Sequence, residues 1–100
     1  MHEAVFLAGA EHDLIEYYAL YEAINPGLGE RFSSSVDEAV GLLCSHPDLG
    51  IKFRSQFRRL LVRGFPIGIF YTLEGQRIII QAVLDLRQSP ESIRRRLAFP

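Results

Sequence analysis

A chain of 100 residues, 48% hydrophobic and 23% charged, is long enough to bury a core without metal or disulfide staples, and it reads as one domain over residues 1–100. Its one cysteine, Cys44, excludes an internal disulfide and a cysteine-based metal site; no apolar run approaches the ~18 residues of a membrane span, and Met1–Ala8 lacks the basic start and the length of a signal peptide, so a cytoplasmic location is expected. The net charge of −1 hides a split: residues 1–50 carry nine acids and one base, residues 51–100 ten bases and three acids, so either the halves neutralise each other in the fold or a basic C-terminal half meets an acidic partner.

Glu3–Leu7 reads as a short strand, interrupted by Ala8-Gly9-Ala10. From Glu11 the pattern is helical, with Leu14, Tyr17, Tyr18, Tyr21 and Ile24 on one stripe and Asn25-Pro26-Gly27 as the stop. Three tyrosines at this spacing belong to a core, with a nucleotide-stacking platform as the competing reading. Leu28, Phe32, Val36, Val40 and Leu43 predict a second amphipathic helix, Cys44 adds a small apolar group near its end, and His46-Pro47-Asp48-Leu49-Gly50 is turn chemistry. The short link between the helices predicts an antiparallel hairpin. Residues 51–56 read as a basic connector.

Phe57–Arg63, Ile67–Leu73 and Arg77–Leu84 are rich in β-branched and aromatic residues and are separated by Gly64-Phe65-Pro66 and Glu74-Gly75-Gln76, which predicts a three-strand antiparallel meander. Period-2 alternation puts Phe57, Arg59, Leu61 and Arg63 on one face of its first strand and Arg58, Leu60 and Val62 on the other. The last strand is apolar almost throughout, as a strand covered on both faces is. Ser89, Pro90 and Glu91 form a helix start, after which Ile93 and Leu97 make an apolar edge and Arg94, Arg95 and Arg96 an exposed side. The fold class is α+β in the order β-α-α-β-β-β-α, a helical hairpin on one face of a small, mostly antiparallel sheet whose other face is partly open.

Several groups of residues carry a resemblance. They are Ala10, Asp13-Leu14 and Tyr17-Tyr18 in the first helix, Gly27 to Phe32 opening the second, and His46-Pro47 with Gly50 behind it. Arg58-Arg59, Val62-Arg63, Phe65-Pro66, Gly68-Ile69-Phe70-Tyr71 and Ala82-Val83 follow in the sheet, and Arg87, Pro90, Ile93 and Arg96 in the tail. In this order and spacing they resemble the RelE/ParE family of toxins from type II toxin–antitoxin modules, the ParE branch above all. The resemblance implies no cofactor, no metal and no membrane partner. It implies a toxin–antitoxin hetero-oligomer in which a cognate antitoxin, through an acidic and partly disordered C-terminal segment, folds onto the helices and sheet.

Within that family RelE-like members cleave mRNA on the ribosome without metal, using clustered basic residues to hold the phosphate and a Tyr, His or Glu to move a proton. ParE-like members bind DNA gyrase instead. Here Arg59 matches a nuclease position, whereas Gly68 stands where a second arginine is common, and Asp85 and Leu86, then Ser92 and Ile93, replace the basic or His residue and the Tyr that follow the last strand. His2, His12 and His46 lie at a terminus, a helix start and a turn. The expectation is therefore a gyrase-binding toxin with no catalytic residues, whose antitoxin- or target-binding surface is formed by Phe57, Arg58, Arg59, Leu61, Arg63, Arg87, Arg94, Arg95 and Arg96, together with the surface of the helix pair. The alternatives are a ribosome-dependent mRNA endoribonuclease built on Arg59, Arg63, Tyr71 and Asp85, with the ribosome and its mRNA as partner, and a family member that has lost its toxicity.

Overall fold

The computed structural model describes residues 1–54 and 56–98. The elements in chain order are β1 (Glu3–Phe6), α1 (Ala8–Ile24), α2 (Leu28–Ser45), β2 (Ile51–Phe53), β3 (Phe57–Leu61), β4 (Ile67–Glu74), β5 (Arg77–Asp85) and α3 (Pro90–Ala98). Among these residues the strands form one sheet of five in the order β1-β5-β4-β3-β2. β1 lies parallel to β5, and the remaining neighbours are antiparallel. The expected α+β arrangement and the meander are present.

Three boundaries differ from the sequence expectation. The connector 51–56 contains β2, which pairs Ile51, Lys52 and Phe53 with Arg59, Arg58 and Phe57; Ser55 of that connector lies outside the described residues. α1 starts at Ala8, not Glu11: Leu7 is the extended residue before the helix, and the Glu11 N–H donates to the Leu7 carbonyl at 3.0 Å. Gly9 in that first turn is exposed, and a Cβ there would lie 3.4 Å from the Arg96 guanidinium, an ordinary contact. β3 ends at Leu61, so Arg63 is not on the strand: the Val62 N–H donates to the Ile67 carbonyl, and Gly64 takes φ +86° to reverse the chain.

A bulge gives the sheet its two apolar faces. Tyr71 pairs with Ile80 and Phe70 with Ala82, so Gln81 has no residue opposite it. The alternation of β5 inverts there. Ile78, Ile80 and Val83 face the helix hairpin, whereas Ala82 and Leu84 face α3. On the hairpin side Phe32, Val36 and Leu43 of α2 and Tyr21 of α1 pack on the sheet. Tyr21, Phe32 and Phe65 form a three-ring knot with centroids 4.9, 5.3 and 5.4 Å apart. Tyr17 and Tyr21 belong to this core, as their spacing predicts, but Tyr18 does not, its hydroxyl bonding Glu30 at the surface, and Ile24, at the last residue of α1, is 66% exposed. On the other side Ile93 and Leu97 of α3 cover Phe70, Ala82 and Leu84, leaving the β2–β3 end of that face uncovered by helix.

Tight junctions hold these layers together. Glu22 of α1 accepts the N–H groups of Gly27 at 3.0 Å and Gly29 at 3.0 Å, so its carboxylate caps the start of α2, where the helix dipole favours negative charge. A Cβ on Gly29 would sit 2.9 Å from the Tyr18 carbonyl, so only glycine allows the two helices to approach this closely. Past the end of β1, α1 completes the open edge of β5: Asp13 accepts the Val83 N–H at 2.9 Å and the Tyr17 hydroxyl accepts the Asp85 N–H at 2.9 Å. Two side chains one helical turn apart thus match two amides two strand residues apart.

Candidate functional site

The uncovered end of the α3 face collects arginines over an apolar floor. β3 carries Arg59 on the side of Phe70, its pairing partner in β4. Its aliphatic stem lies across Gly68, where a Cβ would be 3.1 Å from Arg59 Cγ and 2.9 Å from Leu86. Arg59 therefore occupies the space a side chain at position 68 would need. Arg54, with a left-handed φ of +57°, and Arg94 of α3 join Arg59 around a cavity of about 380 Å³. Phe53, Phe70, Leu86, Gln88, Pro90 and Ile93 complete its lining. Phe53 and Phe70 meet edge to face at 5.2 Å, and Phe70 is fully buried. A smaller adjoining hollow of about 210 Å³ is lined by Arg54, Phe57, Arg94 and Leu97.

The expected binding residues divide on this geometry. Phe57, Arg59 and Arg94 meet around the two hollows. Leu61 stands 57% exposed farther along the same face of β3, and Arg95 is exposed on α3. Arg58 points the other way, where its guanidinium donates to the carbonyls of Gly50 at 2.8 Å and Asp48 at 3.2 Å and fastens the loop between α2 and β2. Arg63 is exposed in the turn after β3. Arg87 folds back on Asp85 at 2.8 Å.

Arg96 corrects the reading of three exposed arginines. Its guanidinium makes a two-pronged contact with Asp13, at 2.7 and 2.8 Å, and Asp13 is 5% exposed. Arg96 is thus the anchor that ties α3 to α1, not a free surface cation. Asp13 stands in phase with Ala10, Tyr17 and Tyr21, the residues α1 turns inward, and a carboxylate at an inward position is the sequence signal that a buried partner exists. Arg54 gave no such signal, because its place beside the cavity depends on the turn after β2.

The four residues of the nuclease alternative are not brought together. The Tyr71 hydroxyl, fully buried, donates to the Pro47 carbonyl at 2.8 Å and accepts the Gly50 N–H at 2.9 Å. Burial is the main cause that raises its pKa. The Asp85 carboxylate lies on the hairpin side, near Tyr17 and Tyr21, whose phenols are raised first by burial and then by its charge in the case of Tyr21. The hydrogen bond from Arg87 holds Asp85 below the ordinary carboxylate range. Arg59 thus has neither group beside it: Tyr71 and Asp85 face the opposite side of the sheet.

The helix pair offers a second surface. Ile15, Leu20 and Ile24 of α1 and Leu42 of α2 are 69, 55, 66 and 48% exposed. Leu14, Ile15, Tyr18 and Ser33 line a shallow hollow of about 280 Å³ between the two helices, beside which the Tyr18 hydroxyl donates to Glu30 at 2.8 Å. Among the described residues no group of three or more His, Cys, Asp or Glu side chains is placed to hold a metal ion, and no helix is long and apolar enough to cross a membrane.

A search of curated proteins finds no match. Among solved structures, a chain described as "Chromosomal ParDE TA system from P. aeruginosa" superposes with a TM-score of 0.72 at 21% identity, covering 83% of this chain and 94% of that one, a likeness that establishes the fold. The family model of the ParE toxin of the type II toxin–antitoxin system parDE matches residues 5–90, from β1 to the first residue of α3. The chain belongs to the ParE toxin family of type II toxin–antitoxin systems.

Proposed function

We propose that this single-domain toxin acts in the cytoplasm by binding and inhibiting DNA gyrase, without RNA cleavage, and that it is held inactive in a hetero-oligomer with a cognate antitoxin. One observation carries this reading: Arg59, the residue that matches a nuclease position, has no proton-transfer group beside it among the described residues. Tyr71 is sealed between Pro47 and Gly50, and Asp85 is bonded to Arg87 on the other side of the sheet. General acid–base chemistry needs a donor or acceptor within hydrogen-bond reach of the reacting atoms. A guanidinium alone can hold an anion but cannot activate a ribose hydroxyl. The exposed apolar side chains of α1 and the arginine-rimmed hollows at the end of α3 suit an amphipathic segment with acidic residues, the form expected of the antitoxin.

The test is expression with and without the product of the neighbouring small gene. Expression alone is expected to arrest growth and induce DNA-damage signalling with mRNA left intact, and the purified chain to inhibit supercoiling by gyrase; co-expression restores growth. Cleavage of ribosome-bound mRNA that disappears in Arg59→Ala would replace this reading with the nuclease one.

A further inference from the structure

We infer that the cavity between α3 and the β2–β3 end of the sheet is a carboxylate-binding site that takes an acidic side chain, together with an apolar neighbour, from the antitoxin's segment. The inference rests on the antitoxin reading above and adds the place and the chemistry of one contact.

Three observations support it. The first is uncompensated charge. Arg54 and Arg59 have no carboxylate within ion-pair distance among the described residues, and Arg94 reaches only Glu91, at 3.8 Å. Asp13 is committed to Arg96, and Asp85, on the hairpin side of the sheet, to Arg87. The second is an orphaned donor. Arg59 Nε is enclosed and has no hydrogen-bond partner among the described residues, and its stem is fixed across Gly68, so the terminal N–H groups are the part of this guanidinium left to meet a ligand in the cavity. A carboxylate is the group that can accept from the two terminal N–H groups of one guanidinium side by side. The third is the floor. Phe53, Phe70 and Ile93 give the cavity an apolar base, and about 380 Å³ falls within the usual range of ligand sites. A free inorganic anion gains nothing from that floor, whereas a Glu or Asp flanked by Leu or Phe uses both parts. A nucleic-acid strand would use the charge but little of the floor, because Phe70 is fully buried and only the half-buried Phe53 and Phe57 could meet a base.

The test uses the full chain and defined probes. Acetyl-Leu-Glu-Leu-amide and its Gln counterpart are titrated into isotopically labelled protein while the arginine Nε–H and Ile93 methyl signals are followed; hexathymidylate and inorganic phosphate are the comparison ligands. The Glu peptide is expected to shift the Arg59 Nε–H and Ile93 signals and to bind at least ~10-fold more tightly than the Gln peptide, with the preference lost in Arg59→Gln. Arg94→Gln, at an exposed position, keeps the test decisive if Arg59→Gln fails to fold, and is expected to weaken the Glu peptide at least ~3-fold; Arg77→Ala, at the far end of β5, should leave it unchanged. Equal binding of the two peptides, or shifts at Arg59 from phosphate or hexathymidylate as strong as those from the Glu peptide, would overturn the inference. A second arm separates the two claims. If the neighbouring gene's product binds the wild-type chain and both cavity variants with one affinity, the cavity assignment falls and the toxin–antitoxin reading stands. If that product fails to bind the wild-type chain, the antitoxin reading itself falls.

Discussion

Tyr71 shows how one side chain can be excluded from chemistry by what it does for the fold. Its hydroxyl uses one donor and one acceptor to join the loop after α2 to the centre of the sheet. A Cβ on Gly50 would be 2.7 Å from that hydroxyl, so the glycine and the phenol require each other. Tyr71→Phe leaves the Gly50 N–H without its partner, and a cost of about 1–3 kcal/mol is expected in urea unfolding. The same burial has a pH signature. The Tyr17, Tyr21 and Tyr71 phenols are raised above their ordinary value of 10.0, with burial the first cause in each. A folded-state pKa above the unfolded one contributes stability that is fully present below the unfolded value and is lost as pH rises through the folded value. Stability is therefore expected to fall as the solution passes above about pH 10, and less steeply in Tyr71→Phe, as read by circular dichroism against phenolate absorbance.

At the scale of elements, α3 is the part whose attachment is most concentrated. Ile93 and Leu97 supply its apolar contact, and the Arg96–Asp13 pair supplies the polar one. Arg96→Met leaves a buried carboxylate without its cation; because Arg96 is itself 37% exposed, the expected loss is about 2–4 kcal/mol, at the lower part of the range for broken buried pairs. Faster hydrogen exchange of the α3 amides in that variant is the companion measurement. Much of this element was legible beforehand. Ser89 does cap it, accepting the Ser92 N–H at 3.1 Å, and Ile93 and Leu97 are its buried edge. The meander was legible for a related reason: period-2 runs bounded by Gly64 and Gly75, both at positive φ, fit a hairpin sheet. The early start of α1 was hidden because Ala8-Gly9-Ala10 carries no apolar period. β2 was hidden because it is three residues long and follows no alternation that outweighs Lys52 and Arg54. Arg96 could not be told from Arg94 and Arg95 by local pattern, since what distinguishes it is an aspartate 83 positions earlier.

For the molecule as a whole, the two oppositely charged halves do not cancel by pairing. Among the described residues one ion pair, Arg96–Asp13, joins them, while the Asp85–Arg87, Glu91–Arg94 and His12–Glu16 contacts stay within a half. Most of the basic charge of residues 51–98 therefore remains free to act on a partner, and association with an acidic one is expected to be steered. Its rate constant should fall by about 10-fold or more between low salt and 0.5 M salt in stopped-flow measurements, with dissociation changing less. The single cross-half pair also sets an order of events during synthesis. Asp13 leaves the ribosome 83 residues before the arginine that neutralises it, an interval of roughly 4–17 s at typical elongation rates. Until Arg96 arrives, α1 holds an inward carboxylate with no cation, and the α3 face has no roof. The residues of the helix hairpin and of the sheet it packs on are thus synthesised before the roof of the cavity beside α3, so the hairpin side of the molecule can be completed before its other side.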